Sequence, residues 1–255
     1  MTAEESAPYT LFFENVLRPL FHNFKDLYDM RNEYLQYWGA FNHVNQRVAQ
    51  KIVEIRHEIR CKTVWIHNCQ LIMVPFHLKK QFEQANIGFY FHQPFPSSAH
   101  FRIHKYRFEI LKSLLSCDLV AFHLFMYARN FFKTCNRLLG YDLEFLKGGY
   151  FGVNFHGKVV MIRVSHIGVE ESFIKELTET KDYKKFESIF RRDMQPIMLD
   201  LNERRVVGEG RPKEDARANF VKPFIMSSID SYHPISGLKN KMMSYQRFLR
   251  RYPSF

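Results

Sequence analysis

Three histidines follow short apolar segments of this sequence, at points where β-strands are predicted to end. The segments are residues 63–66, 87–91 and 118–122, and the histidines are His67, His92 and His123. In an open parallel sheet the carboxyl ends of the strands face the crevice in which ligands bind. The imidazoles are therefore candidate site residues. The alternative at each position is a histidine that merely satisfies its hydrogen bonds at a strand end.

The elements that would position these histidines alternate between strand and helix. An amphipathic, helix-length segment separates the first two strands, which makes residues 62–98 a βαβ unit. Further helices are predicted over residues 98–115 and 125–139, the latter closed by Gly140. Two more helices precede the unit within residues 8–60, and a hairpin follows near 150–165. The pattern predicts an α/β fold, with a three-layer, Rossmann-like parallel sheet and helices on both faces.

Composition narrows the classes of function. The chain has 255 residues, 46% of them hydrophobic, and a formal net charge of +11. A basic surface suits nucleic acid, anionic lipid or an acidic protein. No zinc-finger spacing, RNP-like motif or long Lys/Arg block is present, so we expect no specific nucleic-acid partner. No apolar run approaches ~18 residues, which predicts no transmembrane segment. The acidic start, MTAEESAP, resembles neither a secretory signal nor an Arg-rich transit peptide.

The cysteines indicate the redox environment. Cys61, Cys69, Cys117 and Cys135 form no C-x-x-C pair and lie in or near predicted buried elements. This distribution predicts reduced thiols, in an intracellular protein, rather than disulfides or a zinc site. The cytoplasm is the default compartment, with the mitochondrion, as part of a large complex, as the alternative. We expect neither a metal nor a cofactor.

Three stretches of the sequence carry extended motifs, VWIHNCQLIMVP, IGFYFHQPFPSSA and CDLVAFHLFMYARNFFKTCNRLLG. In this order they resemble three signatures, V-W-x-H-D-Y-H-L-x-x-x-P, I-G-F-F-L-H-x-P-F-P-[ST]-x-E and A-D-L-[IV]-G-F-H-x-x-x-[YD]-A-R-x-F-x-x-x-x-x-R-L-L-G. These are signatures of the trehalose-6-phosphate synthases, the retaining glycosyltransferases of family 20. The resemblance implies the acceptor half of a two-domain GT-B enzyme that transfers glucose from a nucleotide sugar to glucose 6-phosphate.

Several acceptor-side positions depart from the family pattern. The Asp and second His of H-D-Y-H are replaced by Asn68 and Gln70, and the Trp of L-W-P by Arg18. Asparagine cannot carry the negative charge of the aspartate it replaces. Tyr9 is retained at a position that helps enclose the acceptor sugar in the family, and His92 is retained at a catalytic-site position of the family. The resemblance thus implies a vestigial acceptor site at Tyr9, Arg18 and His92.

The donor side departs further. The segment near residues 220–255 resembles the first strand and helix of the family's nucleotide-sugar domain. Ser231 and Ser236 stand in place of the Arg and Lys that hold the donor diphosphate. Loss of such an electrostatic contact typically costs ~3 kcal/mol of transition-state stabilisation. The family's Gly-rich phosphate loop has no counterpart in the sequence, so we expect little donor binding.

The domain organisation follows from these matches. Residues 1–195 are predicted to form the Rossmann-like remnant of the acceptor domain, residues 196–219 a linker, and residues 220–255 a strand and helix. Residues 201–255 carry eleven Lys/Arg against five Asp/Glu. An isolated strand and helix need apolar cover. We therefore predict an interface to a protein partner, or to anionic lipid, formed by Phe224, Met226, Met242, Phe248, Arg247, Arg250 and Arg251.

Three functions remain open at this point. The departures favour a non-catalytic member of the family that serves as a structural or assembly subunit, together with other protein subunits. The second is a regulatory protein that binds a sugar phosphate through His92, Tyr9 and Arg18. The third is a glycosyltransferase acting in trehalose biosynthesis, with unusual residues or completed by another chain.

Overall fold

The structure, a computed structural model, describes residues 3–24, 32–148, 150–193, 228–233 and 236–252. The chain divides into two compact units, Met1–Ile167 and Gly168–Phe255. The predicted linker over residues 196–219 lies outside the described residues, and so do Phe224 and Met226. Each unit is described by itself.

The first unit begins with helices, as predicted. Helix α1 (Ala3–Phe12) continues through a π-helical turn (Phe13–Leu17) into α2 (Arg18–Phe21). A 3₁₀ turn (Asn32–Tyr37) leads into the long helix α3 (Trp38–Ile59), which Arg60 ends in a left-handed conformation. The remaining helices of the unit are α4 (Val74–Gln81), α5 (Ser98–Phe101), α6 (Arg107–Leu115) and α7 (Phe125–Leu139). Gly140 closes α7 with φ +74°, as its sequence position predicted.

The single helix predicted over residues 98–115 was wrong, since the chain forms α5 and α6 with a turn between them. Ser97 caps α5, where its hydroxyl accepts the backbone N–H of His100. His104 lies in the turn and is fully buried, with its ring near those of Phe101 and Tyr106. The turn therefore places an imidazole in the core, which a continuous helix pattern does not reveal.

Six strands form one mixed sheet in the order β1-β2-β3-β6-β5-β4. The strands are β1 (Thr63–His67), β2 (Asn86–Phe91), β3 (Leu119–Phe122), β4 (Leu143–Phe145), β5 (Phe151–Phe155) and β6 (Lys158–Val164). Strands β1, β2, β3 and β6 are parallel, and the predicted hairpin is β5–β6. The sequence analysis missed β4, because a three-residue strand has too few positions to show alternation.

The hydrophobic core lies on one face of this sheet. Its sheet residues, among them Ile66, Phe89, Val120 and Ile162, fall in register across β1, β2, β3 and β6, and they pack with apolar residues of the helices. The opposite face carries Trp65, which is 47% exposed, and Leu119 and Met161, which are half-buried. Helices were expected on both faces. Among the described residues of this unit, the hydrophobic core forms on one face only, because no apolar segment of the unit covers the other.

The second unit contains helices α8 (Glu171–Glu179), α9 (181–193) and α10 (Leu238–Arg251). The described residues of these helices include none that is buried. Residues 228–233 do not form a strand, and the part of the predicted strand over 221–227 lies outside the described residues. A helix near 181–193 and one near 238–251 agree with the predictions.

Candidate active site

The carboxyl ends of the four parallel strands bring the predicted histidines together. His67 ends β1, His92 follows β2, His123 follows β3, and Ser165 follows β6. The ring centroids of His67 and His92 are 5.1 Å apart, and those of His92 and His123 are 5.6 Å apart. Histidines that are 25 and 31 residues apart in the sequence thus become neighbours, because parallel strands end at the same edge of the sheet.

His67 and His92 share a hydrogen bond. The Nδ1 atom of His67 lies 2.9 Å from Nε2 of His92. One of the two nitrogens must carry the proton and the other accept it, so the pair cannot be doubly protonated and keep this contact. Partial burial, together with the neighbouring His67 and His123, lowers the pKa of His92. His92 is therefore neutral at pH 7.

Tyr90 links the centre of the cluster. Its hydroxyl donates to the backbone carbonyl of Ser165 and lies 3.1 Å from Nδ1 of His123. Because the single hydroxyl proton is used at Ser165, the His123 Nδ1–H is the donor to the Tyr90 oxygen. Burial raises the pKa of Tyr90, which keeps it a phenol. This residue was not predicted, although it stands two positions before His92 and shares its side of the strand.

Asn68 follows His67 in a strained conformation, with φ 70° and ψ 152°. Its backbone N–H donates to the Tyr90 carbonyl at 3.1 Å, and its own carbonyl accepts from Leu71 at 3.2 Å. Those two bonds hold a non-glycine residue in a sparsely populated region, which is a feature enriched at functional sites. The side-chain Oδ1 is buried without a hydrogen-bond partner. Asn68, the residue that follows His67, thus has an unsatisfied side-chain oxygen.

Gln70 and Tyr9 form a second group of contacts, separate from the histidine contacts. The Tyr9 hydroxyl donates to the Gln70 backbone carbonyl at 3.2 Å, and the Tyr9 ring stacks on Phe41. Burial, and then the charge of Cys69, raise the pKa of Tyr9 to about 12. Buried Asn45 donates to the same carbonyl at 3.1 Å and accepts the Met73 N–H at 3.1 Å. The structure therefore uses the predicted ligand residue Tyr9 to hold the backbone of the 69–73 segment.

Arg18 is the third predicted acceptor-site residue. Its guanidinium forms an ion pair with Glu14 one helical turn earlier, at 2.7 Å. Both side chains are about one-third exposed. The cation that replaces the family's tryptophan is thus already compensated by a carboxylate, which reduces its attraction for a ligand phosphate.

The donor-motif serines lie in the second unit. The Ser231 carbonyl accepts the His233 N–H at 2.8 Å, and the Ser236 hydroxyl donates to the His233 carbonyl at 2.7 Å. The next residue, Gly237, precedes α10 as its N-cap and lines a cavity of about 500 Å³ with Tyr232, His233, Leu238, Lys239 and Asn240. The two serines therefore support a turn before the helix.

Part of the predicted interface can be located on α10. Met242 is 63% exposed, Arg247, Arg250 and Arg251 are exposed, and Phe248 is half-buried. Phe224 and Met226 lie outside the described residues, so their part of the prediction cannot be placed. An exposed apolar stripe flanked by arginines is typical of an interaction surface.

The chemistry available at the histidine edge is hydrogen bonding by imidazole and phenol groups. The hydrogen bonds described above for His67, His92, Tyr90 and His123 involve no carboxylate. Within the described ranges, no group of three or more His, Cys, Asp or Glu side chains is arranged to hold a metal ion. All four cysteines are free thiols, and three are buried. None of the described helices is long and apolar enough to cross a bilayer.

Known proteins resemble this chain in sequence. The model of glycosyltransferase family 20 matches residues 2–205. A probable alpha,alpha-trehalose-phosphate synthase [UDP-forming] 11 of Arabidopsis thaliana is 37% identical over 66% of this chain and 20% of its own length. The probable synthase 7 of the same plant is 31% identical over 86% of this chain and 22% of its own. The chain thus spans about a fifth of these relatives.

Solved structures share the fold. An alpha,alpha-trehalose-phosphate synthase from Burkholderia xenovorans, in complex with glucose-6-phosphate, superimposes with a TM-score of 0.63 at 23% identity, over 73% of this chain and 41% of that one. The E. coli protein bound with UDP-2-fluoro glucose gives 0.62 at 21% identity, over 76% and 41%. The α/β fold is therefore that of the GT-B neighbours, which confirms the predicted class.

Proposed function

Because this chain belongs to glycosyltransferase family 20, we propose that it forms the acceptor-side part of a glucosyltransferase of trehalose biosynthesis. In this proposal the histidine edge binds glucose 6-phosphate, and the nucleotide-sugar site is completed by residues beyond this sequence or by another chain. The relatives that support it are named UDP-forming trehalose-phosphate synthases. The observation that carries the proposal is the cluster of His67, His92, His123 and Tyr90 at the sheet's carboxyl edge.

The geometry suits a polyhydroxylated acceptor. A neutral imidazole offers one donor and one acceptor, so it can bond a sugar hydroxyl without the desolvation cost of a charge. His92 is kept neutral by its lowered pKa, and His67 fixes its ring through the 2.9 Å contact. The unsatisfied Oδ1 of Asn68 supplies a further acceptor for a hydroxyl group. Orientation of an acceptor hydroxyl is what a transferase needs from this side of its cleft.

Calorimetry with glucose 6-phosphate tests the acceptor site. We expect binding that His92→Ala weakens by about tenfold, the loss of one hydrogen bond to the ligand. His156→Asn is the matched control, because His156 lies in the hairpin turn with φ 52° and asparagine tolerates that conformation. Equal weakening by both variants, or no binding to the unmodified chain, would remove the support for an acceptor site.

An activity assay tests the reaction itself. The chain is incubated with UDP-glucose and glucose 6-phosphate, and the release of UDP and trehalose 6-phosphate is measured, with and without an extract of its native source. We expect product only when the extract supplies the donor side, and loss of that added product with His92→Ala. Product formed equally well with the His92→Ala variant would contradict the assigned role of the edge.

A non-catalytic assembly subunit is the second candidate, and a specific observation favours it. Asn68 and Gln70 replace ionisable residues of the family motif, and Ser231 and Ser236 bring no cation to the donor motif. Helix α10 also presents Met242 and three arginines to solvent, as a partner-binding helix would. In this case the chain would co-purify with other subunits, and removal of residues 238–252 would abolish the association.

The candidates give different results in the same experiments. Binding of glucose 6-phosphate together with partner-dependent transfer supports the transferase. Ligand binding without transfer supports the third candidate, a regulatory sugar-phosphate sensor. Association with partners, with neither binding nor transfer, supports the assembly subunit.

A further inference from the structure

A second concave site lies at the amino ends of the strands, on the edge opposite the histidines. The end of α3, the start of β1 and the loop between α4 and β2 enclose a cavity of about 280 Å³. We call it the arginine pocket; it is lined by Arg56, Arg60, Cys61, Lys62, Phe82 and Gln84. Its two loops are joined by the bond from the Asn86 N–H to the Lys62 carbonyl, at 2.8 Å. None of these residues belongs to the site described above.

Arg56 is held in a defined position at this pocket. Its guanidinium carbon lies 3.5 Å from the centroid of the Phe82 ring, a close cation–π contact. Its Nε atom is buried and has no hydrogen-bond partner in the described chain. A desolvated guanidinium N–H without an acceptor is costly. Arg56 thus carries a guanidinium N–H for which the described residues offer no acceptor.

The neighbouring cations lack counter-ions as well. Among the described residues, no carboxylate forms an ion pair with Arg56, Arg60 or Lys62. At the same edge of the sheet, a carboxylate does compensate two other cations. There, Asp118 bridges Lys158 at 2.7 Å and Lys79 at 3.5 Å. The arginine pocket thus concentrates positive charge that no ion pair with a described residue neutralises.

We propose that the arginine pocket binds the phosphate group of a small phosphorylated molecule. A planar guanidinium matches phosphate oxygens in a bidentate manner, and Arg56 is pre-organised by its stacking on Phe82. Lys62 and Arg60 supply the additional charge that a dianion needs. The volume lies at the lower end of ligand pockets, which fits a phosphate with a small organic group rather than a nucleotide.

Side chains, and not backbone dipoles, would hold an anion in the arginine pocket. Helix α3 points its carboxyl end toward the pocket, and the partial negative charge there disfavours an anion. If the pocket binds no anion, the basic residues at that position would only stabilise the carboxyl end of the helix. The two roles differ in one measurable property, the binding of phosphate.

Isothermal titration of the full chain with inorganic phosphate, and separately with glycerol 3-phosphate, tests the proposal. We expect saturable binding that Arg56→Gln weakens at least about tenfold and Lys62→Gln by several-fold. Lys112→Gln is the control, because Lys112 is exposed on α6 and forms no ion pair with any residue in the described ranges. Lys62 is exposed, so its variant keeps the test valid if Arg56→Gln does not fold.

The outcome is separable from that of the acceptor site. Phosphate binding lost with His92→Ala and kept with Arg56→Gln would overturn the proposal. No heat up to about 10 mM phosphate would also overturn it, and would assign the basic residues to the helix end. Binding to phosphatidic acid vesicles, without binding to either soluble probe, would contradict a small-molecule site.

Discussion

Replacement of Asn45 by alanine should destabilise the first unit by about 2–4 kcal/mol. The side chain is fully buried, and its Oδ1 is the acceptor for the Met73 N–H. Without it that N–H is left buried and unpaired, which costs about 1–3 kcal/mol, and the lost amide leaves a small cavity worth about 1 kcal/mol more. The Gln70 carbonyl keeps one donor, the Tyr9 hydroxyl, and is not orphaned.

The Tyr9 hydroxyl, the second donor to the Gln70 carbonyl, allows a further test. Tyr9→Phe alone should cost about 0.5–1.5 kcal/mol, because Asn45 still bonds to the Gln70 carbonyl. In the double variant this carbonyl has neither donor. The combined loss should therefore exceed the sum of the single losses by about 1 kcal/mol.

Urea unfolding followed by tryptophan fluorescence measures these losses. Both tryptophans of the chain, Trp38 and Trp65, lie in the first unit, so the signal reports on that unit alone. Asn136→Ala is the control, since the Asn136 amide bonds at the surface to Asp142 and should cost no more than about 1 kcal/mol. A loss for Asn45→Ala no larger than the control, or strict additivity with Tyr9→Phe, would refute this account of the 69–73 segment.

Three further changes test other parts of the first unit. Burial, and then the charge of Arg107, lower the pKa of His104 to about 3. The contribution of the neutral imidazole to stability is therefore present above pH 6.5 and is lost as the pH falls toward 3. His104→Gln should make the free energy of unfolding less dependent on pH in this range, as measured by unfolding at several pH values. Gly88→Ala should cost about 1–3 kcal/mol, because the new methyl carbon would lie 2.1 Å from the Trp65 ring, and Trp65→Ala in the same chain should recover most of the loss in thermal melts. Burial opposes ionisation of Asp118, but the hydrogen bonds from Lys158 and the Ile87 N–H, together with the charges of Lys158 and Lys79, outweigh it and hold the pKa of Asp118 below its usual value. Because solvent screens this partly exposed side chain, Asp118→Asn should cost about 1 kcal/mol at pH 7. Urea titrations should find that this difference vanishes in acid, below the folded pKa.

The sequence by itself determined the order of the elements and the edge at which the site forms. Short apolar runs located β1, β2 and β3, alternation of apolar and polar residues located the β5–β6 hairpin, and helical periodicity with Gly140 located α7, since all these signals are local in the sequence. The same signals failed at β4, which is too short to alternate, and at the turn that buries His104, where a tertiary contact overrides the helical pattern.

Tertiary structure alone decided which side chains meet. His67 and His92 share a hydrogen bond because β1 and β2 pair in a register that no local pattern specifies. Tyr90 reaches Ser165 across 75 residues because β2, β3 and β6 lie side by side. Tertiary structure also decided that the core forms on one face of the sheet. Alternation marks the two faces of a strand, but only packing determines whether a second layer covers the outer face.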